Sequence, residues 1–153
     1  MSPRVAALVM AVWALAMGPA RADLVVEYVI QDGAIPEPLS GRTGDPERGK
    51  AVVLDPERGN CGICHSVPLP ELEFQGDVGP DLAGVGSRYG VGELRLRVVD
   101  SKHLNPDSVM PAYHRVDGLY RVLERYRGEP ILSAQEVEDV VAWLGTLQEA
   151  SAP

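Results

Sequence analysis

The sequence is poor in the residues from which most reactive centres are assembled. Two cysteines, Cys61 and Cys64, and three histidines, His65, His103 and His114, are its whole supply of thiols and imidazoles in 153 residues. A structural zinc site takes four such ligands, usually as two pairs, and only one pair is present. The surroundings of the pair lack the parallel-strand pattern that a thioredoxin-like dithiol needs. Aromatic residues are scarce, with one Phe, two Trp and five Tyr, so the apolar core that the chain builds from its own side chains is limited. Basic residues are also in the minority, 14 Lys and Arg against 22 Asp and Glu. That balance argues against nucleic acid or anionic lipid as a partner and is compatible with basic protein partners.

Long apolar runs are missing too. The stretch Val5 to Met17 is too short to cross a bilayer as a helix and has no stop-transfer flank, so no membrane insertion is expected. It fits another role. Arg4 before it is a positive n-region, the run has the length of an h-region, and Ala20-Arg21-Ala22 obeys the small-x-small cleavage rule. Residues 1–22 are therefore expected to be a signal peptide removed after about Ala22, with the mature protein in the periplasm. Removing 22 of 153 residues leaves 131, enough for one domain with one core. Loss of Arg4 and Arg21 moves the net charge from −8 to about −10.

What is present centres on Cys61-Gly62-Ile63-Cys64-His65. The spacing suits covalent attachment of a porphyrin: each thiol adds across one vinyl group, and two intervening residues let both sulfurs reach neighbouring vinyls. His65 then lies under the iron as its proximal ligand. A disulfide between residues three apart would leave the adjacent histidine unexplained. We expect one haem c, covalently bound. Export agrees with this chemistry, because the attachment is made outside the cytoplasm, where thiols otherwise oxidise to disulfides.

Around the motif the chain reads as an irregular N-terminal arm over residues 23–44, a helical domain over 45–148 and a frayed tail over 149–153. Asp45 is a good N-cap, followed by Pro46 at the first helical position and Glu47 in the first turn, which predicts a helix to about Leu54. Asp-Pro-Glu-Arg-Gly recurs at Asp55 to Gly59, where it is expected to turn the chain toward Cys61. After His65 comes a loop ending in Gly79-Pro80-Asp81-Leu82. A proline carbonyl there can accept the N–H of the ligand imidazole and fix its tautomer, with Leu82 packed on the ring; the alternative is an ordinary Gly-Pro turn. A modest helix is expected from about Glu93 to Lys102, and a short one capped by Asp117 and ending near Gly128. The last helix has a capping box, Ser133 and Glu136, and a hydrophobic staple, Leu132 and Val137. It is expected to pack on the helix starting at Asp45, with Gly49 permitting close approach.

Three of the four methionines, Met1, Met10 and Met17, precede the cleavage site, so Met110 is the only thioether of the mature chain. If the sixth iron ligand is a methionine, it is Met110. The rivals are His103 and His114, whose imidazoles give a bis-His pair of lower potential.

Helix, haem motif, proline loop, helix, Met loop and final helix is the order of small class I c-type cytochromes, an all-α fold. Three segments resemble the SoxX-type sulfur-oxidation cytochrome: Gly79 to Gly86; Met110 to Tyr113 with Arg115 to Leu119; and Pro130-Ile131-Leu132 running into Glu136 to Leu144. The likeness extends from about Asp32 to Leu147. It implies Cys61 and Cys64 as haem attachment sites and His65 and Met110 as axial ligands, while Pro80 and Leu82 are expected haem surroundings from the reading of the loop. It further implies the electron-transfer subunit of an L-cysteine S-thiosulfotransferase, with no activity from the chain alone. The expected partners are a SoxA-type cytochrome, a SoxYZ-type carrier and a soluble cytochrome c acceptor. Two other functional classes fit the residues: a free-standing electron carrier, and a haem enzyme with a vacant sixth site.

Overall fold

A computed structural model describes residues 25–149; the expected signal peptide and all but the first residue of the frayed tail lie outside them. Four α-helices are found among the described residues: α1 (Pro46–Leu54), α2 (Val85–Arg88), α3 (Val91–Leu104) and α4 (Ala134–Thr146). Single 3₁₀ turns occur at Cys61–Ile63 and Glu124–Tyr126. The arm before α1 is irregular, with one isolated antiparallel bridge between Gln31 and Ala34.

Helix α1 starts where its cap dictates, the Asp45 carboxylate accepting the N–H groups of Glu47 and Arg48. The second copy of the pentapeptide begins the same way, Asp55 Oδ1 accepting from Glu57 N–H at 2.8 Å. Its backbone then turns back: the Asp55 carbonyl receives Arg58 and Asn60, and Val52 O receives Gly59. One short sequence thus opens a helix in one place and closes a turn in the other.

The two terminal helices form the central contact. At the crossing, a Cβ on Gly49 would collide with the backbone carbonyl of Asp139 and with Trp143. Asp139 also ties the two helices by charge, accepting from Asp45 N–H at 2.8 Å and from Arg48 Nε at 2.8 Å. The capping box of α4 is formed, and the staple residues Leu132 and Val137 are both fully buried in the core.

A buried ion pair fastens the arm to this core. Arg95 on α3 meets Glu138 on α4 at 2.8 Å, both almost fully buried. Arg95 also donates to the carbonyl of Ile35 at 2.5 Å, and Glu138 accepts Leu39 N–H at 2.9 Å. Ile35 and Leu39 are thereby seated in the core. Removing either ion would leave the other uncompensated in a dry setting.

Two elements differ from the sequence expectation. Helix α3 runs past both expected ends, starting where Glu93 Oε2 accepts the Gly90 N–H and kinking at Asp100 (φ −156°, ψ 85°). The expected helix over 117–128 is absent, leaving only the 3₁₀ turn at 124–126. Its backbone is broken by positive φ at Gly118 (69°) and Arg121 (60°). Its apolar residues share no buried face, Tyr120 being 86% and Leu123 63% exposed, so helix formation there lacks the packing that stabilises short helices.

Candidate haem site

The 3₁₀ turn of the CxxCH stretch is held by a loop folded over it. Gly76 N–H donates to Gly62 O, Gly79 N–H to Cys64 O at 2.7 Å, and Leu82 N–H to Ser66 O at 2.9 Å. Gly79 is a geometric necessity here, because a Cβ at that position would run into the His65 imidazole. The ring is oriented from one side: Nδ1 lies 2.7 Å from the carbonyl oxygen of Pro80. A carbonyl can only accept, so Nδ1 carries the proton and Nε2 is left with its lone pair free. The sequence expectation of a proline carbonyl behind the imidazole is realised in this geometry.

Opposite elements supply the other wall. The kink at Asp100 turns the end of α3: Lys102 N–H goes to Asp100 Oδ1, and the carbonyls of Val98 and Val99 accept Tyr113 and His114 N–H. The loop between is held at its tip, where the Met110 carbonyl accepts from Lys102 Nζ at 2.6 Å and Ser101 Oγ at 3.2 Å. Tyr113 reaches back to the motif, its hydroxyl donating to Gly59 O at 2.9 Å. That bond is buried, and burial raises the phenol's pKa.

Between these walls is a cavity of about 660 Å³. Cys61, Cys64, His65, Pro80, Leu82 and Met110 all line it. The two rival histidines do not. His103 is exposed on α3, and His114 is fully buried with both nitrogens engaged, Nδ1 to Leu132 O at 2.7 Å and Nε2 from Val26 N–H at 3.2 Å. Among the described residues no three His, Cys, Asp or Glu side chains gather as a metal-binding cluster.

A haem fits these residues by chemistry as well as by volume. The lining combines two thiols, an imidazole with one free nitrogen, a thioether and aliphatic walls that include Val85, Leu94 and Val98. Burial pushes the Cys61 thiol up to about 12, which keeps it neutral and unsuited to thiolate exchange. Addition to a vinyl group removes its titration altogether.

Sequence reasoning missed three contributors: the Asp100 kink, the Gly79 clearance and the Tyr113–Gly59 bond. The first two have local signals only in hindsight, since an Asp within a helix and a Gly before a Pro are both ordinary. The third joins residues 54 apart in sequence.

The cytochrome c family model matches residues 46–148, and the helical fold with its CxxCH cavity defines a c-type cytochrome. A chain of the crystal structure of SoxXA from P. pantotrophus is 39% identical, with a TM-score of 0.74, over 80% of this chain and 96% of that one. Ferric cytochrome c-550 from Paracoccus versutus is 19% identical (TM-score 0.38, 69% and 99% covered). Cytochrome c2 from Paracoccus denitrificans is 17% identical (TM-score 0.39, 69% and 97% covered). No curated protein sequence matches the chain. The chain belongs to the cytochrome c family and, within it, to the SoxX type. It is an electron-transfer protein with covalently bound haem c. No helix among the described residues is long and apolar enough to cross a membrane.

Proposed function

We propose that this chain is the electron-transfer subunit of a periplasmic complex that joins thiosulfate oxidatively to a cysteine of a carrier protein, the reaction of an L-cysteine S-thiosulfotransferase. Cys61 and Cys64 would hold the haem as thioethers, His65 Nε2 and Met110 Sδ would supply the two ligands to its iron, and Pro80 and Leu82 would set the ring environment. When bound, haem c supplies one-electron redox chemistry, and a Met/His pair raises its potential. The chain's residues keep that chemistry in one geometry. Pro80 O holds the His65 proton on Nδ1, Lys102 and Ser101 hold the Met110 backbone, and the aliphatic walls exclude water.

One observation carries this reading: the cavity gathers His65 and Met110 on its walls while the cavity chemistry uses both cysteines of the chain. With no third cysteine, the chain has no thiol to attack thiosulfate or accept it. A substrate-handling cysteine therefore belongs to a partner, which we identify as a SoxA-type cytochrome; the thiosulfate acceptor is a SoxYZ-type carrier and the electrons leave to a soluble cytochrome c. The likeness to a SoxXA chain over 96% of that chain's length supports the pairing.

The test is reconstitution. The purified chain alone should exchange electrons with a small cytochrome c and show no thiosulfate-dependent conjugation, and conjugation should appear on adding the SoxA-type partner. Full-rate conjugation by this subunit, in a preparation shown by mass spectrometry to lack the partner, would move the reacting site into this chain. For the ligands, Met110→Ala should abolish the weak sulfur-to-iron band at the red end of the ferric spectrum and lower the potential. Survival of that band would rule Met110 out.

A further inference from the structure

Four arginines line the haem cavity: Arg58, Arg88, Arg97 and Arg125. Two have carboxylate partners, Arg58 with Glu136 and Arg125 with Glu57. Arg88 is committed to the turn beneath it, donating Nη1 to Ala83 O at 2.6 Å and Nη2 to Asp81 O at 2.7 Å. Arg97 differs from all three. It is half-buried on α3, its guanidinium lies 3.8 Å from the centre of the Tyr89 ring, and its one hydrogen bond runs from Nη1 to Glu93 O at 3.0 Å. No carboxylate is within ion-pair distance of it among the described residues. The acids nearest in sequence are occupied: Glu93 Oε2 accepts Gly90 N–H, and Asp100 binds Arg115.

A half-buried cation with donors to spare and no counter-ion, on the wall of a cavity, calls for an anion inside it. A haem brings two ionised propionates, on the edge away from the vinyl groups that the cysteines take. We propose that Arg97, held flat on Tyr89, is the counter-ion of a haem propionate and a positioning residue that sets the redox potential. The stacked guanidinium presents Nε and Nη2 as fixed donors, a pre-organised fork for a carboxylate. Its charge keeps the propionate ionised and favours the ferrous state, which carries one positive charge less.

The inference rests on haem c seated in this cavity, so haem content by mass and axial ligation by spectrum are read first, on the wild-type protein. A failure of the proposed ligands shows at that stage, independently of Arg97. The midpoint potential of the haem-loaded chain is then followed between about pH 3.5 and 9, a span that takes in the ordinary carboxylic acid value of about 4.3. Asp81, Arg88 and Asp107, the other charged groups on these walls apart from the paired ones and His65, are unchanged in every variant, so differences between profiles isolate residue 97. Arg97→Gln should lower the potential at neutral and alkaline pH and add a slope, the potential climbing back as the unpaired propionate protonates on acidification. Arg97→Lys should restore most of the wild-type level and flatness. Arg97→Leu, which keeps an apolar stem on Tyr89, serves as the neutral variant if Gln disturbs the helix. A neutral variant whose profile superimposes on wild type overturns the proposal. So does a shift that Lys fails to reverse, which would trace the effect to packing on Tyr89 instead of charge.

Discussion

His114 is a neutral imidazole by construction. Its Nδ1 faces a carbonyl, which can only accept, so Nε2 must be the bare acceptor that receives Val26 N–H. A second proton would set two donors against each other in a fully buried place. Burial accordingly lowers the His114 pKa, with the bond to Leu132 opposing it in part. Because the folded state resists protonation more than the unfolded chain does, stability is unaffected above the unfolded value of about 6.5 and falls as the pH drops below it, toward the depressed folded value. Melting curves of the haem-loaded protein from pH 8 down to pH 5 should show this loss, and His114→Gln should flatten it. The buried pair makes a second prediction at this scale. Glu138→Gln strands Arg95 and loosens Leu39, and should cost about 3 to 5 kcal/mol by denaturant titration.

Among the elements, α1 and α4 were the most legible in the sequence, because each carries its own start signal: Asp45-Pro46-Glu47 for one, Ser133 with Glu136 for the other. Gly49 at their crossing could also be read in advance, and Gly49→Ala should destabilise the protein by about 3 kcal/mol, since the added methyl meets backbone and not a flexible side chain. His65 and Met110, proposed as the axial pair from one haem motif and one remaining thioether, both line the cavity. The stretch 117–128 was misread for a physical reason. Leu119, Val122, Leu123 and Tyr126 have helical spacing, but spacing counts only when the face is buried, and Leu123 is left in solvent. The kink of α3 was illegible because its cause is non-local: the carbonyls of Val98 and Val99 are claimed by Tyr113 and His114, residues that no local pattern connects to them.

For the molecule as a whole, a cavity of about 660 Å³ in so small a domain means that the haem is part of the core. Its burial contributes apolar area that the few aromatic side chains do not. Cys61→Ala with Cys64→Ala should yield a protease-sensitive chain without a cooperative melt; an apoprotein with native helix content and a sharp transition would contradict this. The α1–α4 contact sets a schedule as well. Asp45 and Asp139, bonded in the finished fold, are 94 residues apart, so α1 stays unlocked until the last helix has folded onto it. Until that contact closes, the segment carrying Cys61 and Cys64 has no closed cavity around it. Delivery of the haem to both thiols is easiest before the last helix arrives, and a chain that closes first hides Cys61 from it.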